Sequence, residues 1–156
     1  AAGAECLMLF DSWASAVPAT HRDWLVTQPT HAIVRGIRKN GYKQPIIGFP
    51  KGFGEGIINY AEKSGVDAIG LDHGIDPKWA NKNLPKGFPV QGNLDPLSLI
   101  SAGKEMLRNI DYILESFHDR PHIFNLGHGV FKETPVEHAI AVVDAVKDLS
   151  RRPNEG

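Results

Sequence analysis

One cysteine, Cys6, is the whole thiol complement of these 156 residues, which excludes an internal disulfide and every metal motif built on a cysteine pair. Its place at the head of an apolar run predicts a buried thiol, not a nucleophile. Long hydrophobic runs are also missing. None approaches the roughly 20 residues needed to span a bilayer, and the first residues show no basic stretch followed by a long apolar one. The expectation is a cytoplasmic protein with no membrane contact. An excess of either charge is absent too: 17 Lys and Arg stand against 18 Asp and Glu, a formal net charge of −1. No basic footprint for nucleic acid and no polybasic lipid patch exist. An anionic ligand must therefore be met by local cations. Low-complexity tracts and solenoid repeats are lacking as well.

With 42% hydrophobic and 22% charged residues, the chain has the composition of one globular unit able to bury a real core. Five short apolar runs read as strands: Cys6 to Phe10, Pro45 to Phe49, Ala68 to Leu71, Pro89 to Gln91 and Ile123 to Leu126. Helical periodicity fills the gaps. Ile33, Val34 and Ile37 share one face before Gly41, and Ile57, Ile58 and Ala61 share another before Gly65. Asp95-Pro96 opens a longer pattern through Leu99, Met106, Leu107, Ile110 and Ile113, with Asp95 as N-cap. Thr134-Pro135-Val136-Glu137 reads as a capping box that starts a last helix through Ile140, Val143 and Val146, with Glu137 reaching back to the Thr134 amide. Strands alternating with helices predict parallel βα units.

The residues after each strand are polar or glycine: Asp11-Ser12-Trp13, Pro50-Lys51-Gly52, Asp72-His73-Gly74, Gly92-Asn93-Leu94-Asp95 and Gly127-His128-Gly129. In parallel α/β proteins the loops at the carboxyl ends of the strands build the active site. A complete (β/α)8 barrel needs eight strands and typically about 250 residues; an open doubly wound sheet also fits five. The expectation is a partial (β/α)8 TIM barrel. Residues 1–150 form its C-terminal portion, the N-terminal portion being absent, and 151–156 form a tail.

Within that rim the most informative loop is His122 to Pro135, HIFNLGHGVFKETP, where Gly127 and Gly129 flank an imidazole at a strand tip. Lys51 in PKGFGEG lacks P-loop spacing and reads as a tight βα turn. Asn93 is expected to hydrogen-bond within its loop, and Trp13, Trp24 and Trp79 to pack. As possible cations for an anionic ligand the strand ends offer Lys51, His73 and His128.

FDSWA (Phe10 to Ala14), GFPKGFG (Gly48 to Gly54), SGVDAIGLD (Ser64 to Asp72), QGNLDP (Gln91 to Pro96) and FNLGHGV (Phe124 to Val130) together resemble the uroporphyrinogen decarboxylase family, in order and across almost the whole chain. The resemblance implies a homodimeric (β/α)8 barrel of tetrapyrrole biosynthesis that works without metal or organic cofactor. The implied reaction removes the four acetate carboxyls of uroporphyrinogen III as carbon dioxide, giving coproporphyrinogen III. It carries substrate contact to Ser12 and His128. The family's arginine-rich segment, the aspartate under the macrocycle and a substrate-contacting tyrosine have no counterpart here, so no catalytic residue is assigned to these 156 residues, and the chain alone is expected to be inactive. Departures from the family pattern are His73 for a tryptophan, Lys132 for a proline and Ser15 for a glycine. Two other classes fit a barrel of this kind: a methyltransferase, which would need a zinc site that one cysteine cannot complete, and a non-catalytic partial barrel serving as a binding module.

Overall fold

The computed structural model describes residues 3–150. Five strands, β1 (Leu7–Asp11), β2 (Ile46–Pro50), β3 (Ala68–Gly70), β4 (Val90–Gln91) and β5 (His122–Ile123), form one parallel sheet in the order β1-β2-β3-β4-β5. The last pair is extended by a bridge between Leu94 and Leu126. Every strand lies beside its sequence neighbour, and the order never reverses. Because parallel crossovers are right-handed, an unreversed order carries all the connecting helices to the same face. That is the layering of a barrel wall; a doubly wound sheet reverses its order at a switch point. Among the described residues β1 and β5 do not pair with each other, so the wall is open, as expected of a partial barrel. The anticipated tail, Arg151 to Gly156, lies outside the described residues.

The helices are α1 (Gln28–Lys39), α2 (Gly56–Lys63), α3 (Pro77–Asn83), α4 (Leu97–Ser101), α5 (Gly103–Ser116) and α6 (Val136–Leu149). They bury one face of the sheet. Ile46, Ile69, Leu71 and Val90 pack there against Val34 of α1, Ile57 and Tyr60 of α2, Ala80 of α3, Ile110 of α5 and Val142 of α6. Each fully buried large side chain of this kind contributes about 1.5–3 kcal/mol of transfer free energy. Side chains alternate across a strand with a period of two, so Met8, Phe10, Phe49, Gly70 and Gln91 lie on the opposite face, which no helix among the described residues covers. No helix among the described residues is long and apolar enough to cross a membrane.

Several local expectations are corrected. Cys6 is exposed, not buried: it stands outside β1, the edge strand of the described sheet, where no neighbouring strand covers it. The Thr134 capping box does not form. Pro135, with ψ of 137°, is the residue before the helix, α6 starts at Val136, and no side chain caps it; the Thr134 hydroxyl is buried without a hydrogen-bond partner. The helix expected from Asp95 onward is two helices, broken where Ala102 takes φ 51° and Gly103 takes φ 73°. Asp95 accepts from the Leu97 amide at 2.9 Å, but the residue before α4 is Pro96, in helical conformation and with no side-chain cap, so the N-cap expected at Asp95 lies one residue later. Trp13 and Trp24 are 79% and 62% exposed, so only Trp79 packs on the core. α3 was not foreseen, although Asp76-Pro77 repeats the Asp95-Pro96 device: the Asp76 carboxylate accepts from the Trp79 amide at 2.7 Å, with Pro77 at the first helical position.

Candidate active site

At the carboxyl ends of the strands, on the uncovered face, lies a cleft of about 280 Å³. β1 and the residue after it supply Met8, Phe10 and Ser12; β2 and its turn supply Phe49 and Lys51; Gly70, Gln91, Asn125 and His128 come from the remaining strand ends. The spacings 8/10/12 and 49/51 are the period of a strand, so β1 and β2 aim apolar side chains at the wall and polar ones at its rim. Gly70 is glycine for a spatial reason: a Cβ there would lie 2.7 Å from the Phe49 ring. Its absence lets that ring lie across the inner face.

Ser12 and His128, far apart in sequence, both line this cleft. His73 does not line it; its side chain is exposed, while its backbone packs under the histidine loop. Gly127 owes its identity to that packing. Its φ is not in the left-handed region, but a Cβ would fall 2.8 Å from the Asp72 carbonyl carbon. Gly129 has open space around it, so only one of the two glycines flanking His128 is required by contact.

Of the three strand-end cations expected from the sequence, Lys51 and His128 line the cleft and His73 does not; the contact between the first two was not foreseen. Lys51 Nζ lies 2.6 Å from His128 Nε2, across 77 positions of sequence. An ammonium has no lone pair to offer, so this contact needs a bare Nε2. The Gly129 amide also lies against Nδ1. A neutral imidazole has one acceptor nitrogen, and the lysine, with its full charge, is the stronger donor to it.

Beneath the rim, Asp72 and Asn93 tie three strand ends together. The buried Asp72 carboxylate accepts from the Gly52 amide at 2.9 Å and from the Gly74 amide at 2.8 Å; two backbone donors offset the cost of burying its charge. The Asn93 amide donates to the Asp72 carbonyl at 2.9 Å and the Ile75 carbonyl at 2.6 Å, the loop role anticipated for Asn93. On the strand feeding the histidine loop, His122 Nε2 meets the Gly92 carbonyl at 2.5 Å and its ring sits 4.8 Å from Phe117. Burial pushes the His122 pKa below its ordinary value of 6.5, against the opposing pull of the Gly92 hydrogen bond. Among the described residues no three His, Cys, Asp or Glu side chains gather as a metal site requires. Cys6 and Ser12 flank opposite ends of β1, about 20 Å apart at some 3.3 Å per residue.

The family model described as uroporphyrinogen decarboxylase (URO-D) matches residues 1–149. The chain belongs to the uroporphyrinogen decarboxylase family. Uroporphyrinogen decarboxylase of Novosphingobium aromaticivorans is 48% identical over 151 residues, covering 96% of this chain and 44% of that protein. The enzyme of Erythrobacter litoralis is likewise 48% identical over 151 residues, with the same coverage. That of Granulibacter bethesdensis is 42% identical over 149 residues, 95% of this chain and 43% of the relative. The chain thus spans about 44% of the length of such relatives. Membership of the uroporphyrinogen decarboxylase family agrees with the unreversed parallel sheet, since a wall of a (β/α)8 barrel has that strand order.

Proposed function

We propose that this chain forms part of the active site of a uroporphyrinogen decarboxylase, which converts uroporphyrinogen III to coproporphyrinogen III with no metal or organic cofactor. The observation that carries the reading is the convergence of Ser12 and His128 on one cleft at the strand ends, in a chain whose family model matches residues 1–149. The homodimer rests on the resemblance, and the cytoplasmic location on the lack of an apolar run long enough to span a bilayer.

Protonation of the pyrrole carbon next to the one bearing the acetate turns the ring into an electron sink. The bond to the carboxylate then breaks, its electron pair enters the ring, and carbon dioxide leaves. A proton gained at the exocyclic methylene and one lost from the ring carbon leave a methyl group, so each cycle consumes one proton. Preorganised charge facing the ring cation is usually the largest catalytic term in such chemistry. In this reading these residues supply recognition: the Ser12 hydroxyl donates to a side-chain carboxylate, and a ring N–H of the His128 imidazole donates to another. The substrate carries eight carboxylates, and the described cleft offers them Lys51 and His128. Carboxylates buried without partners are too costly, so further cations must come from the rest of the protein, and the chain alone is inactive.

Steady-state kinetics of the full-length protein test the assignment. Ser12→Ala and His128→Ala each lower kcat/KM by about 10- to 100-fold, the loss of one hydrogen bond to a charged group. Unchanged kinetics in both variants would remove these residues from the site.

A further inference from the structure

We infer that Lys51 and His128 form a two-point clamp for one carboxylate of the substrate, with Lys51 supplying its charge. The identity of the carboxylate rests on the decarboxylase reading above; the anion site itself rests on the geometry.

Lys51 is held in place from several directions. Its own amide donates to the Asp11 carbonyl at 3.1 Å, and the next amide, of Gly52, donates to the buried Asp72 carboxylate. Gly52 takes φ +67°, and a Cβ on it would fall 2.6 Å from the Ser15 Cβ, so the turn is packed as well as hydrogen-bonded. A turn fixed in this way aims its side chain along the inner face beyond Phe49. The ammonium ends against His128, whose loop is seated by Gly127 on the Asp72-His73 backbone. The same Asp72 segment therefore positions both members of the pair.

The charge so placed has no anionic partner: the ion pairs among the described residues are Arg38–Asp67, Arg108–Glu105 and Lys132–Glu133. The walls beside it are apolar, with Met8, Phe10, Phe49 and Leu126 lining the same cleft. A cation at a partly apolar wall, with the His128 imidazole as its hydrogen-bond partner, carries a charge that no carboxylate in those ion pairs neutralises. A carboxylate that replaces the 2.6 Å Lys51–His128 contact accepts from the Lys51 ammonium with one oxygen. The other oxygen then lies beside Nε2, which donates as N–H in the neutral tautomer whose Nδ1 accepts from the Gly129 amide. In this arrangement the carboxylate pairs with the Lys51 charge and accepts a second hydrogen bond from the imidazole.

The test uses the full-length protein with Lys51→Met, Lys51→Arg and, as a surface control, Lys132→Met, each first shown to keep its thermal midpoint. Two quantities are read: KM and kcat with uroporphyrinogen III, and the affinity for the non-reacting oxidised octacarboxylate uroporphyrin by fluorescence quenching. Lys51→Met raises KM and weakens uroporphyrin binding by about 10- to 100-fold, the worth of a hydrogen bond to a charged group, while kcat moves far less. Lys51→Arg restores most of both, and Lys132→Met changes neither. Lys51→Met with unchanged KM and unchanged uroporphyrin affinity would overturn the clamp. Weakened uroporphyrin binding in Lys51→Met, in a protein that does not turn over uroporphyrinogen, would keep the clamp and overturn the decarboxylase reading. Absence of both binding and turnover in the folded parent protein would overturn both.

Discussion

The backbone of Gly127 is seated against that of His73: a Cβ on Gly127 would come within 2.8 Å of the His73 Cα. This contact docks the histidine loop onto the end of β3 and fixes where His128 stands. Gly127→Ala therefore forces two backbone segments apart. Overpacking of that kind costs about 1–3 kcal/mol, and because the displaced element carries His128, KM rises as well. Gly129→Ala, with open space around it and no left-handed φ, changes stability by less than about 0.5 kcal/mol. Urea denaturation and steady-state kinetics of both variants check the contrast; equal effects would mean that the contact does not position the loop.

Much of this architecture could be read from residue patterns. Four of the strands lie within a residue of the apolar runs that predicted them, because a buried parallel strand leaves a short continuous signal; β5 stops at Ile123, three residues before the end of its run. The polar residues after the strands do gather at one rim of the sheet, where the cleft lies. Other features were hidden for identifiable reasons. The break between α4 and α5 depends on the conformation of Ala102, a residue with good helix propensity, so periodicity ran through it. The capping box failed because Pro135 stays extended and pushes the helix start to Val136. The Lys51–His128 contact joins residues 77 positions apart, and only the fold brings them together. Asp72 was visible as a polar residue after β3, but its grip on the Gly52 and Gly74 amides depends on the neighbouring turn, which sequence does not place.

Asp72→Asn removes the charge from both of those hydrogen bonds and turns one acceptor oxygen into a donor facing a backbone N–H. The variant loses about 1–3 kcal/mol of stability. Since the Gly52 amide is one of the bonds holding the Lys51 turn, its KM rises more than its kcat falls. Denaturant titration with parallel kinetics separates the two effects, and a variant as stable as the parent would contradict the bracing role.

His122 makes stability depend on pH. Its pKa in the folded protein lies below the ordinary 6.5, chiefly through burial. The unfolded chain therefore binds a proton more readily than the folded one, and ν_U exceeds ν_N as pH falls below about 6.5. His122 thus holds its stabilising contribution above that pH and loses it progressively on acidification. Denaturation midpoints at pH 7.5 and pH 5.5 should differ more for the parent than for His122→Gln; an equal fall in both would place the acid sensitivity elsewhere.

The most direct measurement is anaerobic incubation of uroporphyrinogen III with this chain alone and with the chain joined to the remaining part of its protein, followed by chromatography of the oxidised porphyrins by carboxylate number. The account predicts seven-, six-, five- and four-carboxylate products from the complete protein and none from the chain alone. Unaltered octacarboxylate after incubation with complete, demonstrably folded protein would contradict the decarboxylase reading. Turnover by the chain alone would contradict the claim that the remaining cations of the site come from outside it.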